Sequence, residues 1–425
     1  MRILRNSAIY LFANFLTRAI SILLIPILTK YLSPGNYGQI LLFSTLIVFF
    51  NPALYCGSID MLAIDFFKGE KTFKQTLSNC NSTIFYISIF TSVIFVFASP
   101  LLISLFDIPF WIVAILPLTC LLNYYTELLL LLFRYKDMHV SYLKTILIKT
   151  LLEVAVTLLF LLVLHWGWYS RVAGILIGFL VPVYFLLKVI PAKALLSKPD
   201  KMVIKATIRR GLPFVIAQFL IIAFISVDKF FIPKYFSKHD LGLYGIAFQI
   251  SNLLTIFAVS LISVLQPIQY KLATDLTGSN KEKLMRLIYT FVSVQFIASV
   301  SLVLISPLIY RYFINVQYHE SMAWIIYLVI AAFFSSCSAF FMNIVRQKGT
   351  GRQLIEVNLY PLLLLIFLFF ILPRYFHILG VLYAYIIVNF LILVLTIRRS
   401  MKALNISNNL LLNQLKTSIG KLSND

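Results

Sequence analysis

The sequence predicts an all-α, polytopic membrane protein with about twelve transmembrane helices, arranged as two parallel-repeat six-helix bundles around a central cavity. Three observations carry this. The 425 residues are 61% hydrophobic and only 12% charged, with mean hydropathy +0.94, whereas a soluble domain is about a quarter charged. The apolar residues gather into segments close to the ~20 residues that a bilayer-spanning helix needs. Finally, the chain restarts halfway along. A shift of 204 residues, without a gap, superposes Arg5 on Arg209, Lys30 on Lys234, Tyr31 on Tyr235, Ser33 on Ser237 and Gly38 on Gly242, the mark of a chain built from two related halves.

Twelve spans follow in order: 8–29, 38–60, 81–105, 110–132, 145–164, 171–190, 212–233, 246–268, 286–308, 322–345, 353–372 and 378–397. The first is too long for a cleavable leader, lacks a small-residue cleavage site and has a later copy, so it is expected to stay as a helix. The basic segment 188–210 joins the two copies and sets the expected division: an N-terminal bundle at 1–195, a C-terminal bundle at 196–400 and a cytoplasmic tail at 401–425. Six spans before the restart give the second half the same orientation as the first, and parallel halves commonly face a shared cavity. In the tail, Leu404, Leu411, Leu415, Ile419 and Leu422 suit either an amphipathic helix on the inner leaflet or a frayed polar end.

The net charge of +21 does not point to nucleic acid. Most of the 36 basic residues lie in the N-terminus, the even-to-odd connections and the tail, which places both termini in the cytoplasm. No basic face with interleaved aromatics exists outside the spans. Cys56, Cys80, Cys120 and Cys337 have no CxxC spacing and read as packing residues. His139, His165, His239, His319 and His377 are dispersed and suggest no metal site. There is no GxxxxGK[ST], HExxH or GxSxG pattern, and the longest external loop, 306–321, has no room for a catalytic domain. The chain therefore reads as a non-enzyme without a cofactor.

Intramembrane charges are the strongest functional signal, because each costs several kcal/mol unless it faces a partner or water. Arg18 lies ten residues into the first span, about 15 Å deep and near the midplane. Its fork suits phosphate oxygens; the structural alternative is a pair with an acid on a neighbouring helix. Asp228 lies late in the seventh span and can pair Arg18, take a proton, coordinate a cation or form a packing ion pair. Lys229 beside it is expected to snorkel towards the surface. Glu127, deep in the fourth span beside Tyr124 and Tyr125, is a further cavity charge or a structural hydrogen-bonding group. Asn14 and Gln218 are equivalent in the two copies, and such amides suit sugar hydroxyls or bridge helices. Glu153 after Lys149 and Glu356 after Arg352 read as local helix pairs. Asp60 and Asp65 bracket the inner end of the second span. Pro26, Pro117, Pro182, Pro213, Pro233 and Pro267 kink helices or mark their ends, and the second reading suits the last three.

LTKYLSPGNYGQILLFSTLI after an arginine-bearing first span, FISVDKFFIPKYFSKHDLGLYGIAFQI in the copy, and QPIQYKL after the eighth span resemble the polysaccharide-exporter branch of the MOP superfamily. That branch contains the Wzx-type O-antigen and capsule repeat-unit flippases. The resemblance covers nearly the whole chain. It implies translocation of an undecaprenyl-diphosphate-linked oligosaccharide across the bacterial inner membrane, by alternating access and with an ion gradient or membrane potential as the driving force. It also implies membrane lipid, a polysaccharide polymerase and a chain-length regulator as partners. Arg18 matches the family's cavity cations and Asp228 the acid common late in the seventh span. A MATE-like drug exporter or a peptidoglycan-precursor flippase is the alternative reading, and a glycan polymerase ranks below both.

Overall fold

The computed structural model describes the backbone of residues 2–190, 201–274, 278–348 and 351–404, and most of their side chains; those of 2–9, 11, 12, 14, 70, 278, 348 and 351–355 are outside the description. Every long element among the described residues is helical. The first expected span is two helices, α1 (Arg2–Leu23) and α2 (Ile25–Tyr31). They break at Leu24 because Pro26 occupies the first turn of α2 and cannot donate a backbone hydrogen bond. Then come α3 (Pro34–Tyr55), α4 (Ser58–Phe66), α5 (Glu70–Phe97), α6 (Ser99–Phe106), α7 (Phe110–Tyr135), α8 (His139–Leu162) and α9 (Tyr169–Val189). The second half runs α10 (Lys201–Tyr235), α11 (Lys238–Thr274), α12 (Gly278–Phe313), a 3-10 segment Val316–Trp324, α13 (Ile325–Lys348) and α14 (Gly351–Ala403). α14 is two helices joined at a kink at His377, whose φ of 48° is left-handed.

Ten helices of the described residues are long and apolar enough to cross a membrane. One of the ten holds both of the last two expected spans, 353–372 and 378–397. Several helices outrun their apolar windows. α10 begins at Lys201, inside the segment read as a loop, and α11 continues to Thr274. Pro213 and Pro267 therefore lie within helices and not at their ends. The apolar window reports hydrocarbon thickness, whereas a helix can continue into the headgroup region with its backbone still satisfied.

The chain forms two compact units: residues 1–245 with 313–319, and residues 246–312 with 320–425. This packing boundary falls inside α11, because α10 lies against α3. The expected repeat boundary near residue 195 and the tail beyond Leu404 lie outside the described residues.

In the first unit, α8 packs on α9 and α1, and α7 on α5 and α9. Hydrocarbon gives helices no hydrophobic reason to associate, so close approach rests on small residues. Gly174 and Gly178 of α9 supply it: a side chain at Gly174 would collide with Thr157, and a Cβ at Gly178 would lie 2.9 Å from the Cβ of Glu153. Between α3 and α4, Cys56 and Gly57 are both left-handed (φ 48° and 66°), a sharp turn that re-aims α4.

The repeat is visible in local structure. Ser33 caps α3 by accepting from the Asn36 backbone N–H at 3.4 Å, and its counterpart Ser237 accepts from Asp240 N–H at 3.0 Å. The copies also meet. A Cβ on Gly38 would fall on the carbonyl oxygen of Lys238, and a Cβ on Gly242 on that of Pro34. Since 238 and 242 are the counterparts of 34 and 38, the contact is reciprocal, like an isologous interface.

The second unit has its own core. Phe291 of α12 stacks on Phe340 of α13 with ring centres 4.3 Å apart, among Leu284, Met285, Ile344 and Met401. Buried amides tie its helices together: Gln269 donates to the Phe340 carbonyl at 3.0 Å, and Asn343 donates to the side-chain oxygen of Gln269 at 3.4 Å. Glu356 accepts from Arg399 at 2.5 Å; the side chain of Arg352 lies outside the described residues. The four cysteines are free and buried.

Candidate functional site

The first unit gathers most of the charged side chains placed within spans. Arg18 is exposed on α1 and has no acidic partner among the described residues. α1 itself contains no Asp or Glu. The side chain of Asn14, one turn earlier, lies outside the described residues.

Asp228 and Lys229 are both buried in α10, at 0% and 7% exposure. Lys229 Nζ donates to Asp228 Oδ1 and Oδ2 at 3.1 and 3.0 Å, and to the Ile225 carbonyl at 2.7 Å. The Tyr244 hydroxyl of α11 donates to Asp228 Oδ2 at 2.6 Å. Lys229 thus does not snorkel: its stem bends back along the helix, because a neighbouring carboxylate solvates the ammonium better than a climb to the surface. Of the roles open to Asp228, the geometry displays the packing ion pair, with the tyrosine linking α10 to α11.

Gln218 of α10 is half-buried and its amide donates to Asp60 Oδ2 of α4 at 2.6 Å. One level away, Arg210 clasps Asp65 with two parallel hydrogen bonds of 2.6 Å each. Thr76 donates to the same carboxylate at 2.7 Å, and Lys68 lies 3.0 Å away. α4 lies outside the candidate spans. There the Arg210 hydrogen bonds hold the Asp65 carboxyl well below its ordinary range, outweighing burial, with Thr76 and Lys68 adding to the effect. Asp65 is fully buried.

Glu127 of α7 is half-buried and makes no ion pair among the described residues. Beside it, Tyr124 donates to Asn81 Oδ1 of α5 at 2.8 Å, and its ring sits 5.5 Å from that of Tyr55. Glu153 of α8 accepts from Lys149 at 2.9 Å, the expected local pair, and also from Arg171 of α9 at 2.7 Å.

Sequence reasoning did not single out Arg171, Arg210, Tyr244 or Asn81. Arg171 was legible as a charge opening an apolar span. Arg210 comes from a distant element and Tyr244 from the next helix, 16 positions after Asp228, and no periodicity within one helix announces either. No group of three metal-ligating side chains occurs among the described residues. What the site offers is one exposed cation on α1, in a unit whose Asp65, Glu153 and Asp228 are ion-paired and whose Glu127 is not, among the described residues: it can hold an anion or a polar headgroup.

Several solved structures share the fold. A lipid II flippase MurJ in an inward closed conformation aligns with TM-score 0.71 at 16% identity, over 92% of this chain and 89% of that one. An inward-facing multidrug resistance MATE family transporter of the MOP superfamily aligns with TM-score 0.67 at 14% identity, over 91% and 94%. The MATE multidrug transporter DinF-BH aligns with TM-score 0.62 at 16% identity, over 94% and 96%. The sequence matches no curated protein. Residues 27–323 match the family described as polysaccharide biosynthesis protein, and with that match spanning more than half of its length, on a fold shared with MOP superfamily members, the chain belongs to that polysaccharide biosynthesis family of multi-pass membrane proteins.

Proposed function

We propose that this protein is a flippase that moves undecaprenyl-diphosphate-linked oligosaccharide repeat units across the bacterial inner membrane by alternating access, for O-antigen, capsule or exopolysaccharide assembly. The observation that carries the reading is Arg18, an exposed guanidinium with no acidic partner among the described residues, on the helix that the sequence reads as the first span of a polysaccharide biosynthesis family member. Sugar hydroxyls stripped of water cost several kcal/mol each without partners. A protein route supplies those partners while the lipid tail stays in hydrocarbon. Arg18 answers the diphosphate: its fork matches phosphate oxygens, and an anion repays the desolvation of the cation. The reaction breaks no covalent bond, so an ion gradient or the membrane potential supplies the drive and no cofactor takes part. A polymerase and a chain-length regulator would use the delivered units.

Deleting the gene is expected to leave lipid-linked repeat units on the cytoplasmic leaflet and to remove surface glycan. Arg18→Ala supplied in trans should fail to restore it, and Arg18→Lys should restore part. Single repeat units collecting on the outer leaflet would point to polymerisation and overturn the proposal. Normal surface glycan in a well-expressed Arg18→Ala strain would remove Arg18 from the phosphate role. The likeness to a lipid II flippase supports a second reading, transport of a peptidoglycan precursor; that reading requires deletion to be lethal.

A further inference from the structure

We propose that the α8–α9 hairpin holds a small inorganic anion of the halide class against Arg171. Two cations here share one carboxylate. Lys149 Nζ lies 2.9 Å from Glu153 Oε2 and Arg171 Nη2 lies 2.7 Å from Oε1. Lys149 is also covered by the Phe179 ring, 4.8 Å from its centre. Both carboxylate oxygens are used, and Glu153 is 8% exposed. The other guanidinium nitrogen of Arg171, Nη1, is buried with no hydrogen-bond partner among the described residues.

A charged donor left in that state forfeits its full desolvation energy. A water molecule would satisfy the hydrogen bond but not the surplus positive charge in a low-dielectric setting. Glu127 on α7 is the further carboxylate whose field includes Lys149, but it forms no ion pair with Lys149 or Arg171. α1, which also packs on α8, brings no acid. The occupant must also be small, because Gly174 and Gly178 bring α9 against the α8 backbone. A monatomic monoanion meets all three requirements, and the inference is independent of the transported substrate.

The test uses the purified full-length protein in detergent, titrated with sodium chloride against sodium gluconate at constant ionic strength, with thermal unfolding as the readout. Chloride should raise Tm along a saturating curve, as a ligand of the folded state does, and gluconate should not. Arg171→Gln should abolish the chloride increment. Glu153→Gln, which removes the competing negative charge, should move half-saturation to a roughly tenfold lower chloride concentration. Superimposable chloride and gluconate curves for the wild type would overturn the proposal, as would a chloride increment that survives Arg171→Gln. If Arg171→Gln does not fold, Glu153→Gln decides: unchanged half-saturation rejects the site.

Discussion

Asp228 and Lys229 stand next to each other in the chain, and their charges cancel at a distance of 3.0 Å in a site closed to solvent. Removing one partner of such a pair leaves the other buried and uncompensated, at a cost of about 3–5 kcal/mol. Asp228→Ala or Lys229→Met alone should therefore lower the thermal stability of the purified protein sharply. The double variant should recover most of the loss, and purely additive losses in this double-mutant cycle would show that the pair is not coupled. Asp65 answers to pH. Its carboxyl is held below the ordinary range by Arg210, so its stabilisation is present above the unfolded-state value of about 3.9 and is lost as pH falls towards the depressed folded value. Melting curves of wild type and Asp65→Asn should differ by a constant amount above about pH 5 and converge in more acidic buffer. A gap that widens on acidification would contradict the assignment.

At the scale of the elements, the approach of Gly38 and Gly242 to backbone carbonyls sets how closely α3 and α11 begin. Neither carbonyl can move without disturbing a helix start, so Gly38→Leu or Gly242→Leu should destabilise by about 1–3 kcal/mol or more through overpacking. Gly35→Leu should be nearly neutral, since nothing lies within 4 Å of its Cβ position. Equal losses at all three positions, measured by thermal unfolding, would refute this. The spans themselves were legible in the sequence because hydrocarbon thickness is written directly into apolar run length. Their continuation was not: α10 reaches back to Lys201 through residues that the apolar pattern assigns to a loop. The site was legible in part. Arg18, Glu127 and Asp228 announce themselves as charges where charges are costly. The Asp60–Gln218 and Asp65–Arg210 contacts join residues more than 140 positions apart, and periodicity within one helix carries no information about a partner on another.

For the whole molecule, the distribution of lysine and arginine makes a statement about orientation that the fold leaves open. Reporter fusions at Ile190 and at Asp425 should both report the cytoplasm, and a fusion at Trp166 the opposite side, as the excess of basic residues in the even-to-odd connections requires. Opposite sides for Ile190 and Asp425 would break the expectation that the second half enters the membrane as the first does. The same duplicated plan permits the halves to differ in chemistry. Arg18 corresponds to Ile222, and Asp228 and Lys229 to Leu24 and Ile25. The deep charges were thus placed singly on a shared scaffold.

The reciprocal contact between the two copies is of a kind that two separate molecules could also make. A half-length chain carrying Pro34 to Gly38 could meet a second molecule of itself through the same two approaches, each glycine against the other's carbonyl. Joining two such molecules end to end would keep that contact intact and need not invent it. It also fits where the copies differ. Position 34 is proline and its counterpart 238 lysine, since only the carbonyl oxygen is used, while 38 and 242 are both glycine, since either one's side chain would strike the opposite copy. A homodimer's two-fold axis can survive in this way as a trace inside one polypeptide, free to become asymmetric everywhere except where the two copies touch.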